Sequence, residues 1–201
     1  VKKTKIYQVA INEATRINSS GLKMTEAGSL KYFLWGSEKS EQSIVIKFGR
    51  VFEKMIQEQI SITPKFELGL NGVQHISGQS KKKDVDLLFI DKEEKTIFYR
   101  ELKANIDLDT EKLPATTDKI AVIEKHLASK YPGFSINSGI LCMTVYSEAD
   151  LSNRLKKKVK TYSDASVSVE FARDIFATLD LDISKEEYNT FGLEVGKILR
   201  S

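Results

Sequence analysis

Between Ser40 and Pro64 the apolar residues Ile44, Phe48, Val51, Phe52, Met55, Ile56 and Ile60 recur at three- and four-residue steps. That is the period of a helix with one buried face, and Pro64 lies beyond its end. The buried face is expected to pack on a sheet. Ile6 to Ile17 reads as an earlier helix, broken by Ser19-Ser20-Gly21, and a short apolar cluster, Tyr32-Phe33-Leu34-Trp35, precedes Gly36. These N-terminal pieces are expected to cap a core. Downstream of Pro64 the period changes from helix to strand. Gly69, Gly72 and Gly78 punctuate short segments at Phe66-Glu67-Leu68 and Val73-Gln74-His75-Ile76, which read as strands.

The strongest β signal comes next. Asp84-Val85-Asp86-Leu87-Leu88-Phe89-Ile90 and Thr96-Ile97-Phe98-Tyr99-Arg100-Glu101-Leu102-Lys103 flank the charged stretch Asp91 to Lys95, as the arms of an antiparallel hairpin flank a solvated turn. Thr110 to Lys130 is expected to be helical in its later part, where Ile120, Ile123 and Leu127 form a stripe that Pro132-Gly133 ends. With the buried strand expected at Ile140 to Tyr146, this makes a parallel crossover. A basic helix from Leu151 to Val159, a strand at Val167 to Phe171 and an amphipathic helix from Ser184 to Leu199 complete the reading. The fold class is α/β (α+β): a central mixed β-sheet flanked by helices, with helical N- and C-terminal additions. No internal repeat and no Pro/Gly-rich linker interrupts the chain, so residues 1–201 are expected to form a single domain.

Composition changes this picture little. Hydrophobic residues make up 41% and charged residues 29%, with three prolines, which excludes a disordered or low-complexity chain. The net charge of +3 permits contact with a polyanion without requiring it. Lysines bunch at Lys81-Lys82-Lys83 and Lys156-Lys157-Lys158, with Lys160 following; such runs are usually solvated surface. The single cysteine, Cys142, excludes a disulfide within the chain and suits a reducing compartment. No apolar run approaches the ~20 residues that cross a bilayer, and the start of the sequence, Val1-Lys2-Lys3, lacks the apolar core of a signal peptide. A cytoplasmic protein, bacterial or archaeal, with no membrane partner is expected. His75 and His126 lack the spacing of a zinc site.

Candidate chemistry sits on the hairpin. Alternation along a strand places Asp84 and Asp86 on one face, and Tyr99, Glu101 and Lys103 on one face of the partner strand. Carboxylates and an amine are thereby expected to converge. Hard divalent ions such as Mg²⁺ take carboxylate oxygens and keep several waters. A metal so held polarises a phosphoryl oxygen and lowers the pKa of a bound water, while a lysine orients the nucleophile and offsets developing charge.

The run Asp86-Leu87-Leu88-Phe89-Ile90, followed after a short turn by Ile97-Phe98-Tyr99-Arg100-Glu101-Leu102-Lys103, resembles the core hairpin of the PD-(D/E)xK nuclease superfamily, most of all that of type II restriction endonucleases. The order helix, strand, Asp-bearing strand, Glu-x-Lys strand, helix, strand, over about residues 40–146, is similar to that family's common core. The proline of the motif name is absent, since Lys83 precedes Asp84 and Val85 precedes Asp86. Asp84 and Asp86 therefore both stand as candidates, with Asp86 preferred because four apolar residues follow it.

The resemblance implies a restriction-endonuclease-like core, Mg²⁺ as cofactor, double-stranded DNA as substrate and a homodimer, whose two sites would cut both strands of a palindrome. It implies catalytic roles for Asp86, Glu101, Lys103 and Asp84, and metal ligation by Asp86, Glu101 and Asp84. Gly49-Arg50-Val51-Phe52-Glu53 is similar to the stretch that carries an accessory acidic ligand in such enzymes, which makes Glu53 a further candidate; its ordinary reading is a solvated helix residue. Lys112, Thr116, Thr117 and Lys119 follow the Glu-x-Lys strand, where such enzymes approach DNA, and Lys81, Lys82 and Lys83 enter the hairpin at its edge; all are candidate phosphate contacts. Two other functions compete: a structure-selective or repair nuclease of the same superfamily (a junction resolvase or mismatch nickase), and a catalytically inactive DNA-binding module.

Overall fold

The computed structural model describes residues 2–21, 23–27, 29, 34, 39–76, 80, 82–103 and 112–201, without the side chains of 2–4, 42 and 112. Apart from Leu34, the apolar cluster at 32–35 lies outside these residues. Elements run in the order α1 (Lys2–Ser19), α2 (Glu41–Ser61), β1 (Phe66–Leu68), β2 (Gly72–Gln74), β3 (Lys83–Val85), β4 (Leu87–Asp91), β5 (Thr96–Lys103), α3 (Lys112–Lys130), β6 (Ser135–Cys142), α4 (Asn153–Asp164), β7 (Ser168–Phe171), α5 (Ala172–Thr178) and α6 (Lys185–Arg200). The chain divides into two compact units, Val1–Ile56 with Ile183–Ser201, and Gln57–Asp182.

In the first unit α1 packs on α6. Ile6, Ala10, Ala14 and Ile17 are buried along one side of α1, and Tyr188, Phe191, Val195 and Leu199 along one side of α6, the spacing that keeps a single helical face turned inward. Tyr7 stacks on Phe191 with ring centroids 4.8 Å apart, and Phe52 of α2 meets Phe191 edge-on at 5.7 Å. Ser184 starts α6 with a capping box: its hydroxyl accepts the Glu187 amide and its own amide donates to the Glu187 carboxylate, satisfying two donors that a helix start leaves open.

The second unit holds a five-stranded mixed sheet flanked by helices, in the order β1-β4-β5-β6-β7, and a separate ribbon of β2 with β3. β1 and β5 both run antiparallel to β4, whereas β6 is parallel to β5 and β7 is parallel to β6. Helix α3 makes the expected parallel crossover from β5 to β6. Its Ile120, Ile123 and Leu127, with Val159 and Tyr162 of α4, bury against Leu88, Ile90, Ile97, Tyr99, Ile140 and Cys142.

Two expectations need correction. The strand expected over 84–90 is two strands in different sheets, parted at Asp86, because Lys83 to Val85 pairs with Gly72 to Gln74 and only Leu87 to Asp91 joins the main sheet. The strand expected at 140–146 instead spans Ser135–Cys142 and ends in a turn at Met143 and Thr144. Its polar first half, Ser135 to Ser138, shows no apolar run because those residues are exposed or half-buried, but all of them pair with β5. Helix α5 was not anticipated; seven residues are too few to display a period. No helix among the described residues is long and apolar enough to cross a membrane.

Candidate active site

Strand β5 turns Ile97, Tyr99, Glu101 and Lys103 to the side covered by α3, and Phe98, Arg100 and Leu102 to the other. The α3 side begins apolar and fully buried at Ile97 and Tyr99, and ends in charge at Glu101 and Lys103. Glu101 is 4% exposed, and a carboxylate at that depth requires partners. It has three. The Tyr99 hydroxyl donates to Oε2 at 3.0 Å, the Lys103 ammonium donates to Oε1 at 2.7 Å, and the Lys119 ammonium of α3 pairs with Oε2.

Asp86 joins this group because the chain breaks strand pairing there. Its Oδ2 accepts the Leu102 amide proton at 2.9 Å and its Oδ1 lies 3.6 Å from the Lys119 nitrogen. One β5 backbone amide therefore holds the aspartate beside the Glu-x-Lys segment, and one lysine spans both carboxylates.

The two acids titrate differently. Burial, then the neighbouring Glu101 charge, pushes the Asp86 carboxyl up to about 7, against the opposing pull of Lys119. Burial opposes ionisation of Glu101 too, but Lys103 and Lys119 outweigh it and hold that carboxyl below its usual range. Burial, then the charges of Glu101 and Asp86, raises the Tyr99 phenol, which stays a proton donor. A pair of acids pushed apart in this way is a recurring property of catalytic sites.

No group of three or more His, Cys, Asp or Glu side chains among the described residues forms a metal cage. Mg²⁺, however, is commonly held through one or two carboxylates with waters completing its shell. Asp86 and Glu101 each direct an oxygen at the single Lys119 ammonium, so a point within reach of both exists and carries a cation already. The donor set fits a hard divalent ion.

Of the sequence candidates, Asp86, Glu101 and Lys103 come together, and Lys119 joins them as a partner of both acids. Asp84 is exposed on β3 opposite Val73, although its charge still acts on Tyr99. Glu53 is half-buried on α2 in the first unit. Thr116 is buried, and the Thr117 hydroxyl donates to the Pro114 carbonyl at 2.8 Å. Lys82 is exposed and Lys83 half-buried; Lys81 and the Lys112 side chain lie outside the described residues. Lys119 was read as a phosphate donor. A signal for its inward role existed, since it stands next to Ile120 and one turn before Ile123, on the flank of the buried stripe.

The opposite face of β5 carries a second polar group that sequence reading did not single out. Arg100 is 2% exposed and donates to both Glu170 oxygens on β7, at 2.8 and 2.5 Å, to the Asn137 carbonyl and side chain on β6, and to the Tyr99 carbonyl. This network ties three strands beneath the site. Compared with known proteins, the chain matches no family model and no curated protein.

Proposed function

We propose that this protein is a Mg²⁺-dependent endonuclease hydrolysing DNA phosphodiester bonds, and that within this class it is a type II restriction enzyme cutting double-stranded DNA at a specific site as a homodimer. One observation carries the reading: Asp86, Glu101 and Lys103, named from the sequence alone, meet at the end of β5. The chain order of α2, β1, β4, β5, α3 and β6, with β2 and β3 inserted, supports it further, being the helix and strand order that the resemblance implies.

Asp86 and Glu101 are the residues that would hold the metal. Bound there, Mg²⁺ supplies Lewis-acid polarisation of a phosphoryl oxygen and a water of lowered pKa. Lys103 keeps Glu101 ionised and, with its side chain 21% exposed, has ammonium protons to spare to orient a water and offset charge developing on the phosphate. Tyr99 fixes the rotamer of Glu101 from below. Lys82 and Lys83, at the start of the Asp-bearing arm, are the residues that would meet the phosphate backbone, a contact that positions a duplex without reading its sequence.

The test is to incubate the purified chain with unmethylated phage DNA in Mg²⁺, beside an EDTA control and the Glu101→Ala/Lys103→Ala double variant. Discrete bands lost with EDTA and with the variant are expected. Nicks or cleavage only of junctions would assign the site to a structure-selective nuclease, and no cleavage of any DNA would overturn the enzymatic reading.

A further inference from the structure

Lys119 is the one member of the charged cluster that β5 and its neighbouring strand break do not supply. It reaches in from α3, pairs with Glu101 and lies 3.6 Å from Asp86, with its side chain 18% exposed. Its helix position is anchored, because Thr116 and Ile120 on either side are buried. The four-carbon arm is not so constrained: a lysine can change rotamers and carry its ammonium to solvent without moving its backbone.

Charge decides what the arm is for. A buried carboxylate requires compensation: Lys103 and Lys119 both pair with Glu101, whose side chain is 6% exposed, and Lys119 also lies beside Asp86, whose side chain is 19% exposed. A divalent ion on the same oxygens would add two positive charges to the cluster, and withdrawal of one ammonium would offset half of that excess. Among the described residues the Lys103 ammonium hydrogen-bonds to Glu101, whereas Lys119 occupies the point that both acids reach. We propose that Lys119 is a tethered placeholder cation that sits between Asp86 and Glu101 in the resting protein and yields that position to a divalent ion, swinging out to become a solvent-facing ammonium beside the site. This rests on the metal-dependent reading given above and adds a device to it: the resting site is kept satisfied, and metal uptake exposes a cation on the side where a phosphate would lie.

Two readouts independent of cleavage test it. Mn²⁺ binding, followed by the loss of the free-ion EPR signal, is compared for the wild type, Lys119→Gln, Lys119→Arg and Asp86→Asn/Glu101→Gln. Removing a competing cation should tighten Mn²⁺ binding by about tenfold in Lys119→Gln, the ordinary scale of coupling between two binding events, while Lys119→Arg binds no better than the wild type and the double variant does not bind. In the unmodified chain, where folding of a variant is not at issue, Mg²⁺ should raise the acylation rate of Lys119 several-fold by mass spectrometry, with exposed Lys160 unchanged. If the wild type binds Mn²⁺ through Asp86 and Glu101, yet Lys119→Gln binds no tighter and Lys119 labelling does not respond to Mg²⁺, the placeholder role is wrong and the metal site stands. Absence of Mn²⁺ binding in both the wild type and Lys119→Gln would overturn the two together.

Discussion

The Asp86 carboxylate accepts the Leu102 amide proton at 2.9 Å, so the aspartate is held by the backbone of the residue immediately after Glu101. Asp86 itself belongs to neither β3 nor β4, and this bond, together with the pairing of the next residue, Leu87, to Arg100, holds it beside Glu101. The side chain therefore has a structural task and a proposed chemical one, and they can be separated.

Asp86→Asn keeps an oxygen to accept from Leu102 and removes the charge. It should fold as the wild type does, by near-UV circular dichroism, while cleavage of duplex DNA in Mg²⁺ falls by roughly 10²–10³, the scale on which loss of one electrostatic stabiliser is felt. Glu101→Gln should behave alike. Undiminished cleavage in either variant would remove that residue from the mechanism.

Buried Arg100 pairs with half-buried Glu170, and removing the glutamate leaves the arginine without its charged partner. Glu170→Ala should cost at most about 3 kcal/mol, the low end for breaking a fully buried pair, because Glu170 is partly exposed and Asn137 and the Tyr99 carbonyl still accept three of the arginine's N–H donors. Urea denaturation measures it. A loss under about 0.5 kcal/mol, the ordinary size for surface substitutions, would mean that the pair contributes no more than an exposed one.

Gly139 lies in register between Arg100 and Ser168, and a methyl group there would stand 2.7 Å from the Ser168 carbonyl oxygen. Backbone cannot yield as a flexible side chain can. Gly139→Ala should destabilise the protein by about 1–3 kcal/mol, as overpacking does, seen as a lowered Tm; an unchanged Tm would show that β7 shifts freely.

Asp91 closes the hairpin, accepting the Glu94 amide at 3.0 Å and pairing with Lys65 at 3.0 Å. Burial alone would raise its carboxyl, but the Glu94 amide and Lys65 outweigh burial and hold it below the ordinary value. A depressed folded-state pKa means stability that is fully present above the unfolded value of about 3.9 and lost as the pH falls through the folded one. Asp91→Ala should thus be less stable than the wild type at pH 7, by about 1–2 kcal/mol, and the two should converge as the pH approaches the folded value. A gap independent of pH would assign the loss to packing instead.

The hairpin and the Glu-x-Lys face were legible in the sequence because both depend on strand alternation, a local rule that needs only the order of residues. The same holds for α2 and for the apolar stripe of α3, whose signals repeat within a few residues. The start of β6 was hidden, because the backbone of Ser135 to Ser138 is recruited by pairing with a strand nearly forty positions earlier, not by its own side chains.

The sequence by itself therefore determined the period of each long element and that Glu101 and Lys103 share one side of β5. Tertiary structure alone decided that the chain breaks its pairing at Asp86, that Asp84 belongs to the separate ribbon, and that Lys119 turns inward to both acids. The physical reason is one of range. Alternation and helical period are satisfied among near neighbours, whereas a buried carboxylate is satisfied by whichever donor the packed fold brings within reach: for Asp86 an amide sixteen residues away, and for Glu101 a lysine carried on the next helix.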